Sequence, residues 1–263
     1  MNYILKLLGV ISLTLMVALS GCITDTNTNN NQNANNQVQT NTNGNINNNM
    51  GLHNYTQNHT PGAGRVVGQN GNINTTMLSA GINAFPKEPL SEEEKLGLIE
   101  MREEEKLARD VYLTLYDKWK IPVFQNIANA ELSHTTSVKL LLDKYNISDP
   151  ADNSPVGVFK TPKYQKLYNE LVEKGSKSEI DALIVGATIE DLDIYDLQQW
   201  SAKTDSEDIL YTYANLEKGS RNHMRSFIRT LKNYGGNYTP QYISQEEFDQ
   251  IINSQVERGP VNR

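Results

Sequence analysis

Cysteine is almost absent from this chain of 263 residues, which contains only Cys22. A single cysteine excludes an internal disulfide, and it excludes zinc, iron and iron–sulfur sites that are built from several cysteine thiolates. Positive charge is also scarce, because 24 lysines and arginines are outnumbered by 31 aspartates and glutamates, for a formal net charge of -7. Since no basic patch dominates the sequence, we expect no nucleic-acid partner.

The first 21 residues have the features of a secretory signal. One basic residue, Lys6, precedes an apolar run at positions 7–19 that is too short to be read as a spanning helix. The next residues, Ser20 and Gly21 before Cys22, resemble a lipoprotein signal-peptidase box. The implied mature chain begins at a lipid-modified Cys22 and is anchored to the membrane outside the cytoplasm. An ordinary signal peptide, or an uncleaved anchor with an incidental cysteine, is the alternative.

Residues 22–86 are rich in Asn, and the first part of this segment has almost no charge and no large apolar side chain. Such a segment cannot bury enough apolar surface to offset the entropy lost on ordering. We therefore predict a disordered, lipid-anchored linker that ends where a folded domain, residues 87–263, begins. His53 and His59 fall within this linker, where they are better explained as spacer residues than as a metal-binding tail.

Hydrophobic periodicity predicts an all-α domain with four long helices. These helices are predicted over residues 91–119, 123–145, 178–200 and 204–234. Ser91 with Glu94, and Thr204 with Glu207, have the spacing of capping boxes, and Ser178 can cap the third helix. Short links within each pair of helices predict two antiparallel hairpins that form a four-helix bundle. A short crossover helix is predicted over residues 163–174 and a short C-terminal helix over residues 244–253.

Polar residues interrupt the apolar stripe of each long helix near its middle. Glu131 and His134 are three positions apart, so both side chains point the same way from one helix face. Together the interruptions supply four carboxylates and two imidazoles, from Glu105, Glu131, His134, Glu190, Asp193 and His223. Four buried carboxylates without cations would have to be protonated or paired with arginines. Two divalent ions would neutralise them, and this is the ligand inventory of a di-iron or di-manganese carboxylate site.

Arginines are the competing counter-charges. Arg109 lies four residues after Glu105, and Arg221 and Arg225 flank His223, so a polar interior closed by salt bridges is the alternative to a metal site. Tyr112 lies on the same stripe as Glu105, where it can hydrogen-bond a ligand or supply an electron. A buried tyrosine with a satisfied hydroxyl is more often simply part of the core.

Three segments resemble a known family. They are EEEKLARDVY at residues 103–112, GATIEDLDI at residues 186–194 and GSRNH at residues 219–223. These segments look like domain-of-unknown-function family 2202, a ferritin-like group, over about residues 88–253. The spacing within the pairs Glu131 and His134, and Glu190 and Asp193, is also similar to that of the rubrerythrin branch of the ferritin-like superfamily.

The resemblance implies a ferritin-like antiparallel four-helix bundle. Its metal-ligand positions fall on Glu105, Glu131, His134, Glu190 and Asp193, with His223 near the ligand pair of the fourth helix. The glutamate expected three residues before His223 is Ser220, which departs from a fully symmetrical di-iron centre. The implied cofactors are two iron or manganese ions, and the implied chemistry is peroxide reduction or ferrous oxidation. A non-catalytic binding or structural lipoprotein with a degenerate site, or a metal-storage module, is the alternative.

Overall fold

The computed structural model describes residues 66–259, which form seven helices and no β-strand. The helices are α1 (Thr75–Ala84), α2 (Glu92–Trp119), α3 (Pro122–Tyr145), α4 (Pro162–Gly175), α5 (Glu179–Ser201), α6 (Glu207–Asn233) and α7 (Gln245–Asn253). The prediction of an all-α domain is confirmed. The predicted signal segment, Cys22, His53 and His59 lie outside the described residues.

The long helices begin near their predicted cap signals, with one exception. The Ser91 hydroxyl accepts from the backbone N–H of Glu94, and the Glu94 carboxylate accepts from the backbone N–H of Ser91, so the predicted capping box is present. The exception is α6, which begins at Glu207 and not near Thr204. The Thr204 hydroxyl donates to the Glu94 carboxylate at 2.5 Å, so it ties the start of α6 to the start of α2.

Helix α5 is the central helix, because its residues are buried on almost every face between Ala182 and Leu197. It packs against α2, α4 and α6, while α3 packs against α2 and α6. The four long helices therefore enclose a common interior. Helix α4 bridges α2 and α5, and α7 packs on α6, as expected for the two short helices. Among the helices of residues 66–259, none has the length and apolar character needed to cross a bilayer.

Helix α2 is more deeply buried than its apolar stripe indicates. The sequence predicts that only Glu105 of three consecutive acids faces inward, but Glu103 and Glu104 are also buried. The prediction is wrong because α2 contacts α3, α4 and α5, which cover more than one of its faces. A helix that is enclosed on several sides buries residues outside its apolar stripe, so the stripe alone does not reveal them.

The folded domain begins earlier than predicted. The composition of residues 66–86 predicts a disordered linker, and this prediction is wrong, because these residues include α1 and buried apolar side chains. Leu78 and Ile82, one turn apart on α1, are buried, and α1 packs against α3 and α6. The Asn74 side chain caps this helix by accepting from the backbone N–H of Met77 at 3.1 Å. The few apolar residues are diluted by Asn and Gly, so average composition conceals that they reach the core.

A substitution in α1 measures how much this segment stabilises the domain. Leu78 is fully buried in the core, so Leu78→Ala should lower the free energy of unfolding by about 2–4 kcal/mol. Thr76→Ala, at an exposed position of the same helix, should change it by less than about 0.5 kcal/mol. Urea denaturation followed by circular dichroism checks both values. Equal midpoints for the two variants would show that α1 does not stabilise the fold.

Candidate metal centre

Five of the six predicted ligand residues are linked by atom pairs 2.8 to 3.4 Å apart in the interior enclosed by the four long helices, and the sixth, Asp193, is buried beside their carboxylates. The six residues are Glu105 on α2, Glu131 and His134 on α3, Glu190 and Asp193 on α5, and His223 on α6. None of their side chains is appreciably exposed to solvent. The polar residues that interrupt the apolar stripes of the four long helices therefore meet in one place.

Glu131 lies between the two imidazoles. Its Oε2 is 3.2 Å from His134 Nδ1, and its Oε1 is 2.8 Å from His223 Nδ1. Glu105 Oε2 lies 3.3 Å from His134 Nδ1, and Glu190 Oε2 lies 3.4 Å from His223 Nδ1. The centre thus has two halves. Each half has one imidazole nitrogen, one carboxylate of its own and one oxygen of Glu131.

These separations fit atoms that share a metal ion. Two ligand atoms held about 2.1 Å from one ion at tetrahedral or octahedral angles are about 3.0–3.4 Å apart. Although they lie close together, His134 Nδ1, His223 Nδ1 and Glu131 Oε2 make no well-directed hydrogen bond. Buried polar atoms without partners are rare in proteins. Here several of them face each other, so a cation placed among them would satisfy them together.

The backbone holds the other ring nitrogen of each histidine. His134 Nε2 donates to the carbonyl oxygen of Gly71 at 2.9 Å, and His223 Nε2 donates to the carbonyl oxygen of Asn70 at 3.1 Å. A carbonyl oxygen only accepts, so each Nε2 must carry a proton. In the neutral ring the lone pair is then on Nδ1, which faces the carboxylates. A metal-binding histidine typically donates its other ring N–H to such an acceptor, which fixes the tautomer and leaves the ligating nitrogen unprotonated.

Two hydroxyl groups orient carboxylates of the centre. Ser220, which stands where the resemblance places a glutamate, donates its hydroxyl hydrogen to Asp193 Oδ2. Asp193 Oδ1 is left without a hydrogen-bond partner. Tyr112 donates to Glu190 Oε1 at 2.6 Å. Ser220 therefore supports a ligand candidate and does not replace the missing glutamate, and Tyr112 contacts the centre directly.

The arginines that could neutralise the carboxylates in place of a metal form salt bridges outside the centre. Arg109 donates to Asp110 at 2.7 Å. Arg221 and Arg225 both pair with Glu257, at 2.7 Å each. The structure therefore contradicts the alternative in which these arginines close the polar interior.

Burial and crowding shift the acidity of the centre in opposite directions. Burial, with the neighbouring Glu105 carboxylate, raises the pKa of Asp193 well above its usual range. Burial also raises the pKa of Glu105, to about 7 against the attraction of His134. Burial alone would lower the pKa of His223, but Glu131 and Glu190 raise it to about 9. Burial opposes ionisation of Glu131, yet His134 and His223 hold its pKa below the usual range. The metal-free centre thus retains protons that a bound cation would displace.

These shifts predict that the metal-free protein loses stability as pH rises. A group with a raised pKa in the folded state stabilises the fold below its unfolded pKa, and this contribution is lost as pH rises through the folded pKa. For Glu105 the loss runs from 4.5 to about 7, and for His223 from 6.5 to about 9. The lowered pKa of Glu131 acts only below this range.

The measurement is thermal unfolding of the full chain, freed of metal with a chelator, between about pH 5 and about pH 9. We expect the unfolding temperature to fall across this range and added divalent metal to reduce the fall. A temperature that stays constant or rises in the metal-free protein would contradict the buried, proton-retaining centre.

No pattern in the sequence indicates the segment that contacts both histidines. Residues 66–74, which we call the N-terminal strap, lie within the predicted linker, yet the strap supplies the Asn70 and Gly71 carbonyls. Backbone carbonyls leave no side-chain pattern to detect. In the sequence Gly71 is one glycine among several, and only the structure shows that it has a φ of +78° in a turn.

The fold and the site together define an all-α domain with a buried carboxylate–histidine centre. The chain belongs to the family described as uncharacterized protein domain DUF2202, whose profile matches residues 94–255. The prediction of this family is confirmed.

Two comparisons show the same relative. The uncharacterized protein MJ0754 of Methanocaldococcus jannaschii is 67% identical over 178 residues, which cover 68% of this chain and 96% of that protein. The crystal structure of hypothetical protein MJ0754 from Methanococcus jannaschii DSM 2661 is similar with a TM-score of 0.64. It matches 65% of this chain and 98% of that chain at 67% sequence identity.

Proposed function

We propose that this protein is a ferritin-like bundle that binds two iron or manganese ions and uses them for redox chemistry, either peroxide reduction or ferrous oxidation. The position of Glu131 between two equivalent half-sites carries the proposal. Glu105, Glu131 and His134 would hold one ion, and Glu190, Glu131 and His223 the other. Asp193, whose free oxygen is buried beside these carboxylates, completes the ligand set.

Bound iron or manganese would supply the electrons and the open coordination positions at which an oxygen-based substrate reacts. The protein's own residues would orient the ligands and exclude water from the centre. The rings of Tyr112, Phe124 and Phe227 pack together with centroids 5.0 to 6.2 Å apart and shield the Tyr112 hydroxyl. That hydroxyl keeps its proton, because burial and then the Glu190 carboxylate raise the pKa of Tyr112 well above its usual range. Tyr112 therefore donates a hydrogen bond to Glu190 without giving up its proton, and we propose that it contributes to the reaction by orienting this ligand.

The proposal also places this bundle outside the cytoplasm, anchored to the membrane by lipid. Its support is the apolar segment at positions 7–19 followed by Ser20, Gly21 and Cys22. Metal ions and, through the lipid on Cys22, the membrane would then be the partners of the mature protein.

Metal content tests the central step. After anaerobic purification from iron-replete cells, the wild-type chain should contain about two equivalents of iron or manganese. Glu131→Gln should remove most of both ions. Glu131 contributes an oxygen to each half-site, and a neutral amide binds a cation more weakly than a carboxylate does. Glu103→Gln is the matched control, because Glu103 is equally buried on α2 but accepts from Thr161 outside the centre. Elemental analysis gives the result, and wild-type protein with less than about 0.2 equivalents would overturn the metal function.

A substitution of Tyr112 tests whether the protein catalyses a redox reaction or only stores metal. Tyr112→Phe removes the hydroxyl that contacts Glu190 but preserves the ring packing. We expect metal content to remain at the wild-type level while the rate of peroxide- or oxygen-dependent oxidation of the loaded centre falls by about 10- to 100-fold. Stopped-flow absorbance of anaerobically loaded protein measures that rate. Bound metal with no spectral response to peroxide or oxygen in the wild-type protein would favour the storage alternative instead.

A further inference from the structure

We propose that the N-terminal strap is a positioning element of the metal centre, which sets the orientation and tautomer of both histidine ligands through the carbonyls of Asn70 and Gly71. The inference rests on the proposed metal function and deepens it. The strap precedes the segment matched by the family profile, which begins at residue 94. A site assigned from the family segment alone would therefore be incomplete.

The strap approaches the imidazoles more closely than any side chain would allow. Gly71 has a φ of +78°, and a Cβ at this position would lie 2.3 Å from His223 Nε2. Gly219 on α6 faces it, and a Cβ there would lie 2.4 Å from His134 Nε2 and 2.8 Å from the Gly71 carbonyl oxygen. Two glycines, one on each side of the contact, thus let the strap backbone reach both rings.

The strap has its own internal hydrogen bonds, so its carbonyls have fixed positions. The backbone N–H of Gly68 donates to Asn72 at 2.8 Å, and that of Asn74 donates to Val66 at 2.8 Å. The backbone N–H of Ile73 donates to the Ser133 hydroxyl at 2.7 Å, beside His134 on α3. A closed turn that is tied to the helix carrying one histidine can define where each Nε2–H points.

The C-terminal segment holds the strap from the other side. Val67 forms a bridge with Gly259, and Lys218 on α6 donates to the Gly259 carbonyl at 3.1 Å. Glu257 accepts from Arg221 and from Arg225, the residues on either side of His223 on α6. The strap is consequently fixed both to α3 and, through the C-terminal segment, to α6. These are the two helices that carry the histidines.

The expected change in metal affinity can be taken from groups that hydrogen-bond to metal ligands in other proteins. Groups that hold the second nitrogen of a metal-bound histidine typically contribute about 10- to 100-fold to metal affinity. The strap supplies that partner for both histidines. Displacing it should therefore weaken metal binding even though all six ligand candidates remain in the chain.

The test compares two glycine substitutions in the full chain. Gly71→Ala introduces a Cβ against His223, at a φ of +78°. Gly235→Ala is the matched control, because its φ of +77° imposes the same backbone strain while its Cβ would meet nothing within 4 Å. Affinity for Co²⁺ is measured by competition with a chelator, together with the visible spectrum of the bound ion. We expect Gly71→Ala to bind about 10- to 100-fold more weakly with an altered spectrum, and Gly235→Ala to match the wild type.

A milder pair of variants keeps the test decisive if Gly71→Ala fails to fold. Ser133→Ala removes the hydroxyl that accepts from Ile73 of the strap. Ser137→Ala, one turn further along α3, removes a hydroxyl that bonds only within the helix. We expect weaker Co²⁺ binding for Ser133→Ala alone, with similar unfolding temperatures for both metal-free variants.

The outcomes separate the two proposals. A wild-type chain that does not bind Co²⁺ would overturn the metal function and the strap inference together. A wild-type chain that binds Co²⁺, with Gly71→Ala and Ser133→Ala indistinguishable from their controls, would overturn the strap inference and leave the metal function standing.

Discussion

The need to neutralise four carboxylates in a dry interior constrains this molecule more than any other interaction. An ionised carboxylate costs several kcal/mol when it is buried without a partner. Of the four carboxylates, only Glu131 has enough contact with the imidazoles to hold its pKa below the usual range. Burial raises the pKa of Asp193 and Glu105. The metal-free centre approaches neutrality by keeping protons. Two divalent cations would reach the same balance with every ligand deprotonated.

The distribution of positive side chains follows from this constraint. Lysine and arginine are used to fix loops and the C-terminal segment: Arg102 pairs with Asp149 at 2.9 Å, and Arg221 pairs with Glu257 at 2.7 Å. The buried Lys106 donates to Asp110 and to two loop carbonyls. Because these cations are held by their own partners outside the centre, the centre depends on its histidines, on protons or on bound ions.

The sequence predicts which polar residues meet in the buried interior better than it predicts their surroundings. Glu131 and His134 stand out because polar residues on an apolar stripe violate the helical pattern that surrounds them. Glu104 escapes detection because α2 is enclosed by several neighbours, so burial is not confined to its apolar stripe. Thr204 has the spacing of a cap, but its hydroxyl bonds Glu94 on another helix. Such tertiary partners compete with local signals and cannot be read from spacing.

The strap shows a deeper limit of side-chain patterns. What Asn70 and Gly71 contribute is a pair of carbonyl oxygens in a fixed turn, and any residue with a suitable backbone could provide the first of them. A domain cut at residue 87, where composition changes, would retain all six ligand candidates and lose both acceptors. Each imidazole could then turn or exchange its tautomer, and its Nδ1 lone pair would no longer be aimed at the carboxylates. In this protein the boundary of the candidate metal centre is therefore set by backbone contacts, which extend beyond the segment that the family profile matches.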